Sequence, residues 1–249
     1  EMATLATLAP AWDYPVGWQV ERLRQTSPEA ALSLLERELA RRPQAGLELR
    51  LSYPRLLVMV KRYDAARDAF VQLSNKYPHQ PEVAYAIGVL SYELKDYEEA
   101  ERSLRDALAL GYREPDFVRF TLGQMAEERK LPQEAVNWYE AITSGPQLPQ
   151  AQSRLAVLEA EDGKLDAALA RLERLADMQS TPRPARVLAQ AQLARNAEQP
   201  DRALAILSAA LAKDGNVAEW RYERALLLDD RERVAEAERD LRAYLKLKP

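Results

Sequence analysis

Cysteine is missing from this 249-residue chain, and histidine occurs once. The first absence excludes disulfides, thiol nucleophiles and thiolate metal sites. With a single His and no Cys, neither a histidine-rich metal site nor a Cys–His couple can be assembled, so no metal is expected. Glycine is scarce at eight residues, and the stretch "GPQLPQ" at 145–150 is a proline-rich connector, not a phosphate-cradling loop. No cofactor is expected. Neither sign of charge dominates: 35 basic against 39 acidic residues leave a net charge of -4, and no Lys/Arg tract is interleaved with aromatics, so nucleic acid is not an expected partner. No apolar run approaches the roughly 20 residues that a bilayer requires; "LLVMV" at 56–60 is about the longest. Direct membrane insertion is therefore not expected. The opening "EMATLATLAP" lacks the basic start and long apolar core of a signal peptide.

What remains is rich in Ala, Leu, Glu and Arg, which points to helix almost throughout. The stretch "GVLSYELKDYEEAERSLRDALAL" at 88–110 shows the organisation: two amphipathic runs joined by a short turn, with small residues at Gly88 and Ala100. The same pattern returns around Ala66, Ala100, Ala135, Ala168, Ala203 and Ala237, at steps of 34, 35, 33, 35 and 34 residues. A large residue follows each alanine by four, at Phe70, Leu104, Tyr139, Leu172, Leu207 and Leu241. A second small residue precedes five of them by about twelve, at Gly88, Gly123, Ala156, Ala191 and Ala225. Pro43, Pro78 and Pro249 stand where a proline closes a second helix. Self-similarity at a fixed period marks a repeat architecture.

The pattern resembles the tetratricopeptide repeat, a helix-turn-helix unit of 34 residues. The resemblance implies an all-α, right-handed superhelical solenoid of six to seven units, near 12–46, 47–80, 81–115, 116–148, 149–183, 184–217 and 218–249. In that family the small residues at positions eight and twenty let two antiparallel helices approach closely. Pro54 departs from the pattern at position eight and predicts a kinked or late-starting first helix. Ala31 marks a degenerate earlier unit, and Pro10 falls at the closing position of one earlier still. The array therefore reads as a fragment of a longer one, with self-association through uncapped terminal repeats as the alternative.

Catalytic groups are not evident. His79 in "YPHQPEV" reads as a solvated loop residue. The adjacent carboxylates Glu98–Glu99, Glu127–Glu128 and Asp229–Asp230 diverge by about 100° on a helix and do not converge on one bond. The expectation is a non-enzyme, either a scaffold or adaptor that binds a protein or peptide in a concave groove or a structural module for self-association or assembly. The run "FTLGQMAEERKLPQEAVNWYEAI", the connector "GPQLPQAQ" and "RLAVLEAEDGKLDAALARLERL" look like the tetratricopeptide outer-membrane lipoproteins of Gram-negative bacteria. That resemblance implies an adaptor presenting cell-wall hydrolases to a carboxyl-terminal processing protease, on the periplasmic side of the outer membrane. An absent upstream signal peptide and lipid-modified cysteine would favour a cytoplasmic scaffold.

The family's groove positions are two, five, nine, twelve and thirteen of each unit. Positions five and nine hold no Lys/Asn pair in any of the six units, so a clamp on the C-terminal carboxylate of chaperone tails is not expected. The groove is expected to run across residues 51–128, with Leu51, Arg55, Val58, Met59, Tyr85, Val89, Tyr92, Phe117, Phe120 and Gln124, followed by Glu127, Glu128 and Glu161. Aromatic anchors beside acidic residues suit a segment with apolar side chains and some Lys/Arg.

Overall fold

A computed structural model describes residues 13–248; Pro10 and Pro249, read above as closing residues, lie outside that range. The described residues form fourteen α-helices and no strand. They follow one another as seven pairs: α1 Tyr14–Arg24 and α2 Pro28–Arg41; α3 Leu47–Met59 and α4 Tyr63–Lys76; α5 Pro81–Glu93 and α6 Tyr97–Ala109; α7 Pro115–Glu128 and α8 Pro132–Glu140; α9 Leu148–Glu161 and α10 Leu165–Met178; α11 Arg183–Asn196 and α12 Pro200–Lys213; α13 Ala218–Asp229 and α14 Val234–Leu247. Five helices open on a proline, Pro28, Pro81, Pro115, Pro132 and Pro200, where its missing N–H would have been unpaired anyway and its fixed φ favours the first turn. The fold is an all-α helical repeat.

Two compact units are present, one ending at Met125 and one beginning at Ala126. In the first, Leu35, Leu49, Leu56, Leu57, Phe70 and Ile87 belong to one buried core. The second has its own core, in which Leu165, Leu207, Trp220, Leu227 and Leu228 are joined by the small residues Ala156, Ala168, Ala191, Ala203 and Ala225.

The periodic alanines do what their spacing implies. Ala66, Ala100, Ala135, Ala168 and Ala203 are fully buried and Ala237 nearly so. Gly88 shows why bulk is excluded: a Cβ built there would lie 2.6 Å from Leu104 Cγ and 3.0 Å from its backbone nitrogen. That is well inside van der Waals contact, so α5 and α6 meet at a point where a methyl group does not fit.

A second feature keeps the same period, although no residue type betrays it. Lys61, Lys95, Lys130, Gly163, Glu198 and Glu232, each five residues before a periodic alanine, all have positive φ. They form the turn between the two helices of a pair. In each turn the next residue's N–H reaches back five residues to a carbonyl of the first helix, as in Asp96 to Ser91 at 2.9 Å and Arg233 to Leu228 at 2.9 Å. This 6→1 bond with its inner partner is a Schellman ending, which satisfies carbonyls that the helix end leaves open. Five of the six left-handed positions carry a side chain, at a conformational cost of about 1 kcal/mol each.

Pro54 does not delay the start of its helix. It is buried inside α3, which nonetheless starts at Leu47 and continues to Met59, so the helix does not start late. Arg50, whose carbonyl a residue at 54 would ordinarily engage, holds the preceding loop instead: its guanidinium donates to the Pro43 carbonyl at 2.6 Å and the Ala45 carbonyl at 2.8 Å.

Candidate functional site

In the first unit the expected groove residues lie on α3, α5 and α7, the first helices of three successive pairs. Their exposure sorts them. Arg55, Val58, Met59, Phe117 and Gln124 are exposed, with Met59 at 43% and Phe117 at 39%. Tyr85, Val89, Tyr92 and Phe120 are half-buried. Leu51 is corrected: it is only 5% exposed and belongs to the core. The reason is that α1 and α2 both pack against α3, so position five of this unit is covered by the pair before it.

The aromatic residues are held by partners that the groove register did not foresee. Tyr85 stacks on Tyr112, with ring centroids 4.4 Å apart and planes at 19°, an offset arrangement that aromatic rings favour. Tyr112 sits in the α6–α7 connector. Gly111, at φ +79°, turns the chain, and the Tyr112 N–H bonds the Ala107 carbonyl at 2.9 Å. Burial pushes the Tyr85 phenol above its ordinary pKa, with Glu114 adding to the effect, and burial does the same for Tyr112. Tyr92 lies 6.3 Å from Tyr97, and the Lys95 ammonium sits 5.3 Å from the first ring and 5.9 Å from the second. The left-handed turn residue of this pair thus places a cation against two aromatic faces. The signal that could have found both partners is local: a glycine before Tyr112, and a lysine flanked by tyrosines two residues after and three before.

The acidic residues that follow belong to the second unit and behave differently. Glu127 was expected to face a partner's cation, but the Tyr139 hydroxyl donates to its Oε1 at 2.6 Å and Arg154 Nε donates to the same atom at 2.9 Å. The other guanidinium arm of Arg154 pairs with Oε2. The Tyr139 side chain is fully buried. Its pKa is pushed far up, first by burial and then by the hydrogen bond to the Glu127 carboxylate; the same carboxylate raises that of Arg154. Glu127 is thereby a structural anchor, while Glu128 is exposed. Glu161 is exposed as well and lines a cleft of about 480 Å³ with Glu140, Glu159, Asp162 and Lys164.

His79 is an exposed connector residue at φ +66°. Among the described residues no group of three or more His, Asp or Glu is placed to hold a metal ion, and no helix is long and apolar enough to cross a membrane. The arrangement of exposed and half-buried apolar side chains offers contact surface.

Comparison with known proteins places this geometry. Over 134 residues the chain is 27% identical to the TPR repeat-containing protein PA4667 of Pseudomonas aeruginosa, a match spanning 54% of this chain and 23% of that protein. A tetratricopeptide repeat protein from Parabacteroides merdae superposes with a TM-score of 0.63 at 14% identity, covering 94% of this chain and 92% of its own. A chain of the APC/C hetero-tetramer Cut9–Hcn1 gives a TM-score of 0.53 at 15% identity, over 100% of this chain and 49% of that one. The chain thus spans less than half the length of two of these relatives. The tetratricopeptide repeat model matches residues 56–115, 96–151 and 188–249, together more than half of the sequence. With helix pairs, buried alanines and turns all recurring at that family's period, the chain belongs to the tetratricopeptide repeat family, whose members are generally non-enzymatic scaffolds for protein–protein contact.

Proposed function

We propose that the chain is a non-catalytic adaptor that binds an extended or helical protein segment on the first-helix face of its first unit, across residues 55–124. One observation carries the reading: Val58, Met59 and Phe117 stand exposed on first helices of the first unit, and Tyr85, Tyr92 and Phe120 on its first helices are half-buried. Pre-stacked tyrosines offer large contact area with little entropy left to lose, which is what an anchor for a partner side chain requires. Exposed Arg55 and Gln124 supply polar contacts at the edge. Glu127 is committed to Tyr139 and Arg154 and is not part of this face.

The test uses side chains whose loss leaves the core intact. Met59→Ala with Phe117→Ala should weaken retention of the wild-type chain's partners by about 2 kcal/mol, with helical content unchanged. Full retention by that double variant, together with loss on substituting outer-helix residues, would move the site to the opposite face.

A second reading, a module for self-association or larger assembly, draws on α14. There Val234, Leu241 and Leu245 are exposed at 61%, 38% and 62%, whereas Leu104, Tyr139 and Leu207, at the position of Leu241 in other pairs, are fully buried. Repeats bury such a face against a neighbour. Concentration-dependent sedimentation that Leu245→Lys abolishes would favour this reading; a monomer at all concentrations would remove it.

The finer assignment, an outer-membrane lipoprotein adaptor for a periplasmic carboxyl-terminal processing protease, rests on the resemblance of residues 120–175. Fractionation of the full-length product decides it. Recovery in the outer membrane is the expected result, and recovery in the cytoplasm would refute it.

A further inference from the structure

A second site is built into the other unit, on different chemistry. Between α10, α11 and α12 lies a cleft of about 520 Å³ whose floor is Val187, Ile206, Ala209 and Ala210. Its acidic wall is already satisfied. Glu173 accepts from Arg186 Nη1 at 3.1 Å and from Gln190 Nε2 at 2.8 Å, and Arg186 is further held by the Thr181 carbonyl at 2.6 Å, the Ala176 carbonyl at 3.2 Å and Asp177. Each nitrogen of the Arg186 guanidinium donates at least once, so this arginine is already committed to Glu173, Asp177 and the α10–α11 connector.

Two other cations line the same cleft, Arg183 at the start of α11 and Lys213 at the end of α12. Neither pairs with a carboxylate among the described residues. The Arg183 guanidinium instead rests 5.5 Å from the ring centroid of Trp220, a fully buried indole whose Nε1 donates to the Pro184 carbonyl at 3.0 Å. A contact with a ring face uses none of the guanidinium's N–H donors, which stay available to another acceptor. The first turn of α11 also carries no acidic residue to answer the positive end of that helix. In a chain with net charge -4, this is a local reversal of sign above an apolar floor.

We propose that this cleft binds a segment of a partner protein in which a carboxylate stands next to an apolar side chain. The carboxylate meets Arg183 and Lys213, and the apolar group covers Val187 and Ile206. A protein segment is favoured over nucleic acid because the floor is aliphatic and the rest of the chain repels a polyanion. The site lies outside the first-unit face proposed above and is independent of it.

The test is a peptide array of N-acetylated hexapeptide amides built from Leu or Phe with Glu, each duplicated with Gln in place of Glu, probed with the intact chain. Expected is retention on Glu-containing spots, loss on the Gln duplicates, and a roughly tenfold drop in affinity for the Arg183→Gln, Lys213→Gln double variant. That variant should keep the wild-type melting temperature, since both side chains lie at the surface. Three outcomes would overturn the proposal: no retention, equal retention of Glu and Gln peptides, or equal binding by the double variant. Displacement of bound peptide by a short oligonucleotide at equimolar concentration would reassign the cleft to nucleic acid.

Discussion

Ile87 and Ser103 in the first unit, and Arg224 and Asp240 in the second, hold corresponding places in their helix pairs, yet they have nothing in common chemically. Around Ile87 the contact is apolar: Gly88 admits Leu104, and Ser103 turns its hydroxyl to Glu99 at 2.8 Å. Around Asp240, 2% exposed, Arg224 donates through Nε at 2.7 Å and Nη2 at 2.8 Å, with Arg221 at 3.3 Å. The second unit repeats this habit. Arg171 forks onto Glu159 at 2.9 and 2.6 Å, and Arg154 onto Glu127. The difference teaches that the repeat constrains side-chain volume at the alanine and position-eight sites and backbone conformation at the turn. Polarity one residue away is free, provided that every buried charge finds its partner.

The comparison breaks most visibly where volume is fixed. Gly88→Val, with its Cβ forced against both the side chain and the backbone of Leu104, should lower stability by about 3 kcal/mol in a denaturation experiment. A loss of similar size, about 3 kcal/mol, should follow Asp240→Asn, which strands two arginines against a buried amide. If the Asn variant were as stable as wild type, the ionic contact would be ornament and the two units energetically alike. Tyr139→Phe removes a hydroxyl bonded to a carboxylate and should remove about 2 kcal/mol. Its pH signature is specific. The folded-state pKa of Tyr139 lies above the unfolded value of about 10, so its contribution is fully present below pH 10 and fades as pH rises further. Tyr139→Phe should accordingly flatten the alkaline loss of stability relative to wild type. Smallest and opposite in sign, Lys61→Gly and Glu232→Gly, one in each unit, should each raise stability by about 0.5 kcal/mol, because both positions have left-handed φ. An effect in one unit alone would show that the turns are not equivalent.

Much of this architecture was legible. The alanine register gave the helix pairing because a buried small residue leaves a mark in sequence, and a recurrent mark is hard to produce by chance. The turn did not show itself, since its left-handed residue is Lys or Glu in five cases and Gly only at 163; a reader who waits for glycine passes over it. The candidate site was partly legible. Phe117 and Met59 are exposed as the register implied, but Leu51 is not, because exposure at position five depends on how closely the preceding pair approaches. The pairing of Glu127 did not show itself for a related reason: its partners Tyr139 and Arg154 are 12 and 27 residues away, and pairing at that range is set by packing, not by local pattern. The cleft beside Trp220 left no signal at all, as it is assembled from three helices whose residues look individually ordinary.

The glycine-poor turns also bear on the order in which the molecule folds. A left-handed lysine or glutamate opposes closure of its own turn until the flanking helices are already in contact, so the turn cannot be the seed of a hairpin. Helices should form first, meet through the alanine and Gly88 contacts, and only then lock the intervening residue past the steric barrier. Relief of that strain by Lys61→Gly should appear mainly as slower unfolding, with the refolding rate nearly unchanged. The position that sequence inspection overlooks would then be one that governs how long the repeat persists once made.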